Sequence, residues 1–171
     1  HRFDVLDHSL QALDNSLPRL DLRWAALLHD VAKPVTRMED ASGIHFYGHD
    51  IEGGKLARVI LTRLRYSKQF TDKVALLVRW HMFPVHAHST DKALRRFIRK
   101  VSKDHVLDLM EVRRSDIIAL GKQTTYAGWA HWQTLRDRLI EIIDSDAALS
   151  VSDLAIGGRE VMDILDIAPG P

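Results

Sequence analysis

The stretch Leu20-Asp21-Leu22-Arg23-Trp24-Ala25-Ala26-Leu27-Leu28-His29-Asp30-Val31-Ala32-Lys33-Pro34 governs how the rest of the chain is read. Leu20, Trp24, Leu27, Leu28 and Val31 recur at three- to four-residue spacing, so they share one face of a helix and bury it. Lys33-Pro34 ends that helix, because a proline ring disfavours helical geometry in the residue before it. Just ahead of the stop stand His29 and Asp30. Adjacent helical side chains point about 100° apart, so both reach one ion only in a notch near the helix end, with further donors arriving from other helices.

The same periodicity continues on both sides. Leu6, Leu10 and Leu13 predict an earlier amphipathic helix. Thr36 to Tyr47 is polar and carries glycine, and reads as a loop or, at most, a short hairpin. Ile51, Leu56, Val59, Ile60 and Leu64 predict a third helix from about Asp50 to Leu64, with Gly53-Gly54 permitting close backbone packing. A fourth, capped by Thr71 or Asp72, runs through Val74, Leu77, Val78 and Trp80 and closes at Phe83-Pro84. Ser89, Thr90 or Asp91 opens a fifth through Leu94, Phe97, Ile98 and Val101. Ser102 or Asp104 opens a sixth through Leu107, Met110, Ile117 and Leu120, which Gly121 stops. Trp129 to Ile143 resumes helical spacing through Trp132, Leu135, Leu139 and Ile142. The fold class is therefore all-α: a helical bundle over 1–125 with a C-terminal helical segment over 126–171.

Of the 171 residues, 46% are hydrophobic and 27% charged, the balance of a globular domain with one core. No apolar run approaches the roughly 20 residues that cross a bilayer, which argues against a membrane partner. The 24 basic residues nearly cancel the 23 acidic ones, so overall charge gives no argument for a polyanion partner. The lack of cysteine excludes disulfides and thiolate metal sites, leaving His, Asp or Glu to hold any metal, and points toward the cytoplasm. His1-Arg2-Phe3-Asp4 shows no initiator methionine and no export signal, so the chain reads as a cut from something longer. Oligomeric state is not legible.

Ten histidines make metal chemistry the question to ask. His8 lies on the first helix and Asp116 on the sixth, so a bundle can bring His8, His29, Asp30 and Asp116 to one point. Mixed nitrogen and oxygen donors with open positions suit a divalent metal: Mn, Fe, Ni, Co, Zn or Mg. Water on such an ion is acidified toward neutrality and attacks phosphorus. Asp116 has an alternative as the partner of Arg113 or Arg114, and Asp108 is a rival ligand earlier on the helix. His86 and His88 read as surface residues. Asp50 reads equally as a first-turn acid favoured by the helix dipole. Arg95, Arg96, Arg99 and Lys100 form a basic run whose plain reading is a solvated face; if RNA binds, Arg95, Arg96 and Arg114 are the phosphate contacts to expect. Trp24, Trp80, Trp129 and Trp132 read as core.

Asp7-His8-Ser9, Leu27-Leu28-His29-Asp30-Val31-Ala32-Lys33-Pro34 and Arg114-Ser115-Asp116-Ile117 resemble the H…HD…D pattern of the HD superfamily. The resemblance implies a helical bundle, hydrolysis of phosphomonoesters or phosphodiesters, commonly on nucleotides or nucleic-acid ends, and His8, His29, Asp30 and Asp116 as metal ligands. Lys33 falls on the lysine of the family's HD-x-G-K extension and is expected near the substrate phosphate, with Ala32 in place of the usual glycine. Asp30 and Lys33 are thereby the expected catalytic residues. Members with two metals add two histidines between the HD pair and the last aspartate. His49 and His81 fall in that interval, as second-metal ligands or substrate contacts, with ordinary packing as the alternative.

Longer stretches are similar to the C-terminal half of bacterial tRNA nucleotidyltransferases and related poly(A) polymerases. They are Phe46-Tyr47-Gly48-His49-Asp50, Leu94-Arg95-Arg96-Phe97, Val112-Arg113-Arg114-Ser115-Asp116 and Ser152-Asp153-Leu154-Ala155-Ile156-Gly157-Gly158-Arg159-Glu160-Val161-Met162 with Pro169-Gly170-Pro171. The Gly-Ser and following Asp-x-Asp of that family's nucleotidyl-transferring head are missing, so this polypeptide alone is not expected to add nucleotides. Two functions follow from the resemblance. One is a metal-dependent phosphohydrolase acting on a nucleotide or RNA-end phosphate; the alternative is a non-catalytic tRNA-binding half with a vestigial or structural metal site.

Overall fold

The computed structural model describes residues 4–121 and 126–146, with Met162, Ile164 and Asp166. Helix α1 (Val5–Asp14) starts where the Asp4 carboxylate accepts the Asp7 N–H at 2.8 Å, satisfying a donor that the first helical turn leaves free. After α2 (Leu20–Leu28) comes a two-stranded antiparallel hairpin, β1 (Met38–Asp40) and β2 (Gly43–His45), with Met38 opposite His45. Then follow α3 (His49–Arg63), α4 (Lys68–Trp80), α5 (Asp91–Val101), α6 (Lys103–Ala119) and α7 (Tyr126–Asp146). The fold is all-α apart from that hairpin. No helix among the described residues is long and apolar enough to cross a membrane.

Helix α2 sits at the middle, against α1, α4 and α6. Its Leu22, Ala25 and Leu28 meet Leu61 of α3, Leu77 and Val78 of α4, Leu94 of α5 and Leu109 and Met110 of α6 in one core. Trp132, Leu135, Leu139 and Ile142 of α7 belong to that same core. Trp132 is buried and donates its indole N–H to the Met110 carbonyl at 3.0 Å; Trp24 donates to the Tyr66 hydroxyl at 3.0 Å. Residues 152–171, which carry part of the sequence resemblance, lie outside the described residues.

Several local expectations are corrected. Helix α2 ends at Leu28, short of Lys33, because the following N–H groups bond three residues back: Val31 to Leu28 at 3.1 Å and Lys33 to Asp30 at 2.9 Å. His29 and Asp30 thus stand in a tight turn. Helix α4 is capped by Ser67, whose hydroxyl accepts the Phe70 N–H, while Thr71 is already buried inside the helix. In α1 the leucine stripe faces outward: Leu6 and Leu10 are exposed, and His8, Ser9 and Ala12 are buried. In α3, Ile51, Val59 and Leu64 are exposed, and Gly53, Gly54, Ala57 and Leu61 form the buried face. The reason is distance. A Cβ on Gly54 would lie 2.9 Å from the Arg79 Cβ and 3.1 Å from the Ala75 carbonyl, and one on Gly53 3.2 Å from Val78, so α3 meets α4 nearly backbone to backbone.

Candidate metal centre

Five elements and one turn end at the same place. Helix α1 brings His8, the end of α2 brings His29, the turn after it Asp30, α3 opens with His49, α4 closes with His81, and α6 carries Asp116. His8, His29, Asp30 and His81 are buried. The His8 Nε2 lies 3.0 Å from Asp116 Oδ1 and 3.2 Å from His29 Nε2, and His29 Nε2 lies 3.3 Å from Asp30 Oδ2. Around the other oxygen, His49 Nε2 is 3.5 Å and His81 Nε2 3.8 Å from Asp30 Oδ1, and the two nitrogens are 3.3 Å apart. The donors form two groups, His8–His29–Asp30 and Asp30–His49–His81, which share Asp30. Asp116 adjoins the first.

The donor set fits a cation on two counts. Neighbouring ligands on bonds of about 2.1 Å lie about 3.0 Å apart in octahedral and 3.4 Å apart in tetrahedral geometry, close to the separations found here. The second count is tautomeric. His29, His49 and His81 each donate Nδ1–H to a carbonyl three residues back, those of Ala26, Phe46 and Val78, all at 2.7 Å. In the neutral ring that leaves Nε2 with a lone pair, aimed inward. His49 and His81 therefore face each other acceptor to acceptor, an arrangement that only a proton or a metal ion between them relieves.

The electrostatics agree. Burial pushes His81 down to about 4, helped by the charge on His29, so its ring is neutral and free to ligate near neutral pH. Burial also works against charge on Asp30, but the hydrogen bonds and charges of His29 and Lys33 outweigh it and hold the carboxyl well below the usual range. For His29, burial opposes protonation and loses to Asp30 and Asp116, which raise its proton affinity. The two carboxylates draw positive charge into the cluster.

Lys33 reaches back to Asp30 Oδ2 at 2.6 Å and lines a cleft of about 630 Å³ that also touches His8, Val5, Pro34, Arg37, Ile44 and Phe46. Asp116 turns two ways: Oδ1 faces His8 at 3.0 Å, and Oδ2 accepts from Arg113 Nη1 at 3.2 Å. Asp108, the rival, is tied to Arg19 and Lys73 and lies outside both donor groups. Arg95 and Arg96 sit on α5, apart from the cluster, and Arg114 is held by Glu111 at 2.7 Å and by the Asn15 carbonyl at 2.9 Å. His86 and His88 are exposed, and Asp50 pairs with Arg79. Sequence reasoning missed Arg37, Ile44 and Phe46 as cleft residues, for the hairpin that carries them left no periodic signal.

A scan of protein families matches the HD domain over residues 5–149, which includes every donor named above. The chain belongs to the HD domain family. This HD domain is 34% identical over its whole length to the A-adding tRNA nucleotidyltransferase of Deinococcus radiodurans and, again over its whole length, 34% identical to the CC-adding tRNA nucleotidyltransferase of Thermus thermophilus. It spans 40% and 38% of those proteins. It is also 30% identical, over 91% of its length and 16% of the relative's, to the bifunctional uridylyltransferase/uridylyl-removing enzyme of Azospirillum brasilense.

Proposed function

We propose that this HD domain is a divalent-metal-dependent phosphohydrolase acting on a nucleotide or an RNA-end phosphate. The observation that carries the reading is the shared Asp30 carboxylate, with buried imidazoles aimed at each of its two oxygens and with Lys33 and a cleft alongside. A divalent ion held by His8, His29, Asp30 and Asp116 would supply an acidified water and neutralise charge on the phosphoryl group, and His49 and His81 with Asp30 would hold a second. The chain's own residues do the rest. Lys33 places a fixed positive charge between Asp30 and the cleft, where it binds a phosphoryl oxygen and stabilises the charge that grows there. Arg113 holds Asp116 so that one oxygen stays turned to His8. Hydrolysis adds water across the P–O bond, releasing an alcohol and a phosphate with one more ionisable oxygen. A cytoplasmic location goes with such substrates.

Elemental analysis of protein purified without chelators, then a screen of nucleotides and cyclic phosphates with Mn, Ni, Co and Mg, tests the reading. His29→Ala and Asp30→Ala are expected to abolish turnover with the fold retained; unchanged metal-dependent activity in both would end it.

A second reading draws on the whole-length similarity to two proteins named as tRNA nucleotidyltransferases. In it the domain holds tRNA, with Arg95, Arg96 and Arg114 as phosphate contacts and a structural metal site. Titrating labelled tRNA at several salt concentrations decides: binding that weakens steeply with salt supports it, and salt-independent binding or none removes it.

A further inference from the structure

The cleft beside the donor groups is lined by charged and ligating side chains, Asp4, His8, Asp30, Lys33 and Arg37, and by apolar ones, Val5, Pro34, Ile44 and Phe46. Ile44 of β2 and Phe46, just past the strand's end, both line the cleft, and His45 and Tyr47 stack on each other with centroids 5.2 Å apart and planes 10° off parallel. Phe46 is fixed from two directions. Its carbonyl accepts the Nδ1–H of His49, which ties the ring's backbone to a donor of the second group. The Lys33 ammonium lies 5.7 Å from the ring centroid and 2.6 Å from Asp30 Oδ2, so one lysine head separates an aromatic ring from the shared carboxylate. A phosphate received by that ammonium and a base resting on that ring would belong to one nucleotide. Phosphoryl transfer alone has no use for an aromatic wall at this distance, whereas a base has a π-face that stacks on it.

We infer that Phe46, backed by Ile44, Val5 and Pro34, is the platform on which the substrate's nucleobase rests while its phosphate meets Lys33 and the donor groups. This rests on the phosphohydrolase reading and sharpens it: the substrate carries a base within one nucleotide of the scissile phosphate, and simple sugar or alkyl phosphates are disfavoured. Phe46 is then a specificity-determining residue, and the stacking sets affinity instead of the chemical step.

The test compares two ligands that differ only by the base, adenosine 5′-monophosphate and ribose 5-phosphate, by equilibrium dialysis against the full chain with Mn present. Wild type is expected to bind the nucleotide about ten-fold or more tightly than the sugar phosphate, the range that one base–aromatic stack supplies. Phe46→Ala should bring nucleotide affinity down to the sugar-phosphate level without moving the latter, and Phe46→Tyr should restore it. Phe46→Leu keeps apolar volume and removes the stack, so it reports the same loss if the alanine variant unfolds. Equal affinities in wild type, no measurable nucleotide binding, or a parallel loss of both ligands in the variants would overturn the inference. The two readings fail separately: a base preference without metal-dependent turnover of any phosphoester removes the hydrolase, and turnover without base preference removes the platform.

Discussion

Two of the three aspartates of helix α6, Asp108 and Asp116, have side chains 10% and 14% exposed, and they serve opposite ends. Asp108 accepts from both guanidinium nitrogens of Arg19 at 2.7 and 3.0 Å, and Lys73 bridges it to Asp21 at 2.7 Å on each side. Two acids meet two bases, and both Asp108 oxygens and Asp21 Oδ2 face an N–H. Asp116 and Asp30 also have cations beside them, Arg113 and Lys33, but each turns its remaining oxygen toward imidazole nitrogens. Burial does not distinguish the clusters. What does is whether acceptors face donors, which makes a structural knot, or face other acceptors, which leaves a place for a cation.

Breaking the shared carboxylate should have the largest effect. Asp30→Ala is expected to cut metal content and turnover by more than the roughly 10–100-fold that loss of a supporting hydrogen bond costs, read by elemental analysis and phosphoester hydrolysis. The α6 pair then gives a crossed result. Asp116→Ala should reduce turnover at least about ten-fold with little change in melting temperature. Asp108→Ala should leave turnover intact and cost about 1–3 kcal/mol, because Arg19 and Lys73 each lose one of their two acidic partners, a drop in melting temperature of several degrees. If both variants behave alike, the contrast between knot and centre is wrong. A finer probe is Gly54→Ala. A methyl 2.9 Å from Arg79 forces α3 off α4, so about 1–3 kcal/mol of stability and part of the His49–His81 metal occupancy should go together. Smallest is the acid response of the knot. Burial works against charge on Asp21, but Lys73 and Arg19 hold its carboxyl below 3.8; the stability this gives is present above that value and lost as pH falls through the folded one. Urea denaturation between pH 5 and 2.5 should show less of that loss in Lys73→Met.

How much of this was legible follows from what local sequence encodes. His29-Asp30 announces itself because the two donors are adjacent, and the helices of the bundle follow from apolar spacing. Residue type and helical spacing did not separate Asp108 from Asp116, which only the family resemblance favoured: what sets Asp108 apart is Arg19 and Lys73, 89 and 35 positions away from it in the chain and adjacent to it only in the fold. The apolar stripe of α3 pointed the wrong way for a related reason. Where two helices touch backbone to backbone, glycine and alanine form the contact and the large side chains are left outside, so periodicity of bulk marks the wrong face. Phe46 was invisible as a cleft residue because it stands in the short connection between β2 and α3, where no periodic pattern shows which side is covered.

His29 and His81 do more than offer nitrogens: each is the C-cap of its helix, α2 and α4. The peptide dipoles of both helices therefore finish at the cluster with their negative ends, each worth about 0.3–1 kcal/mol to a nearby positive charge. Set against the positive end of α3, which opens at His49, these two rods of aligned amides still leave the spot biased toward cations before any side chain is counted.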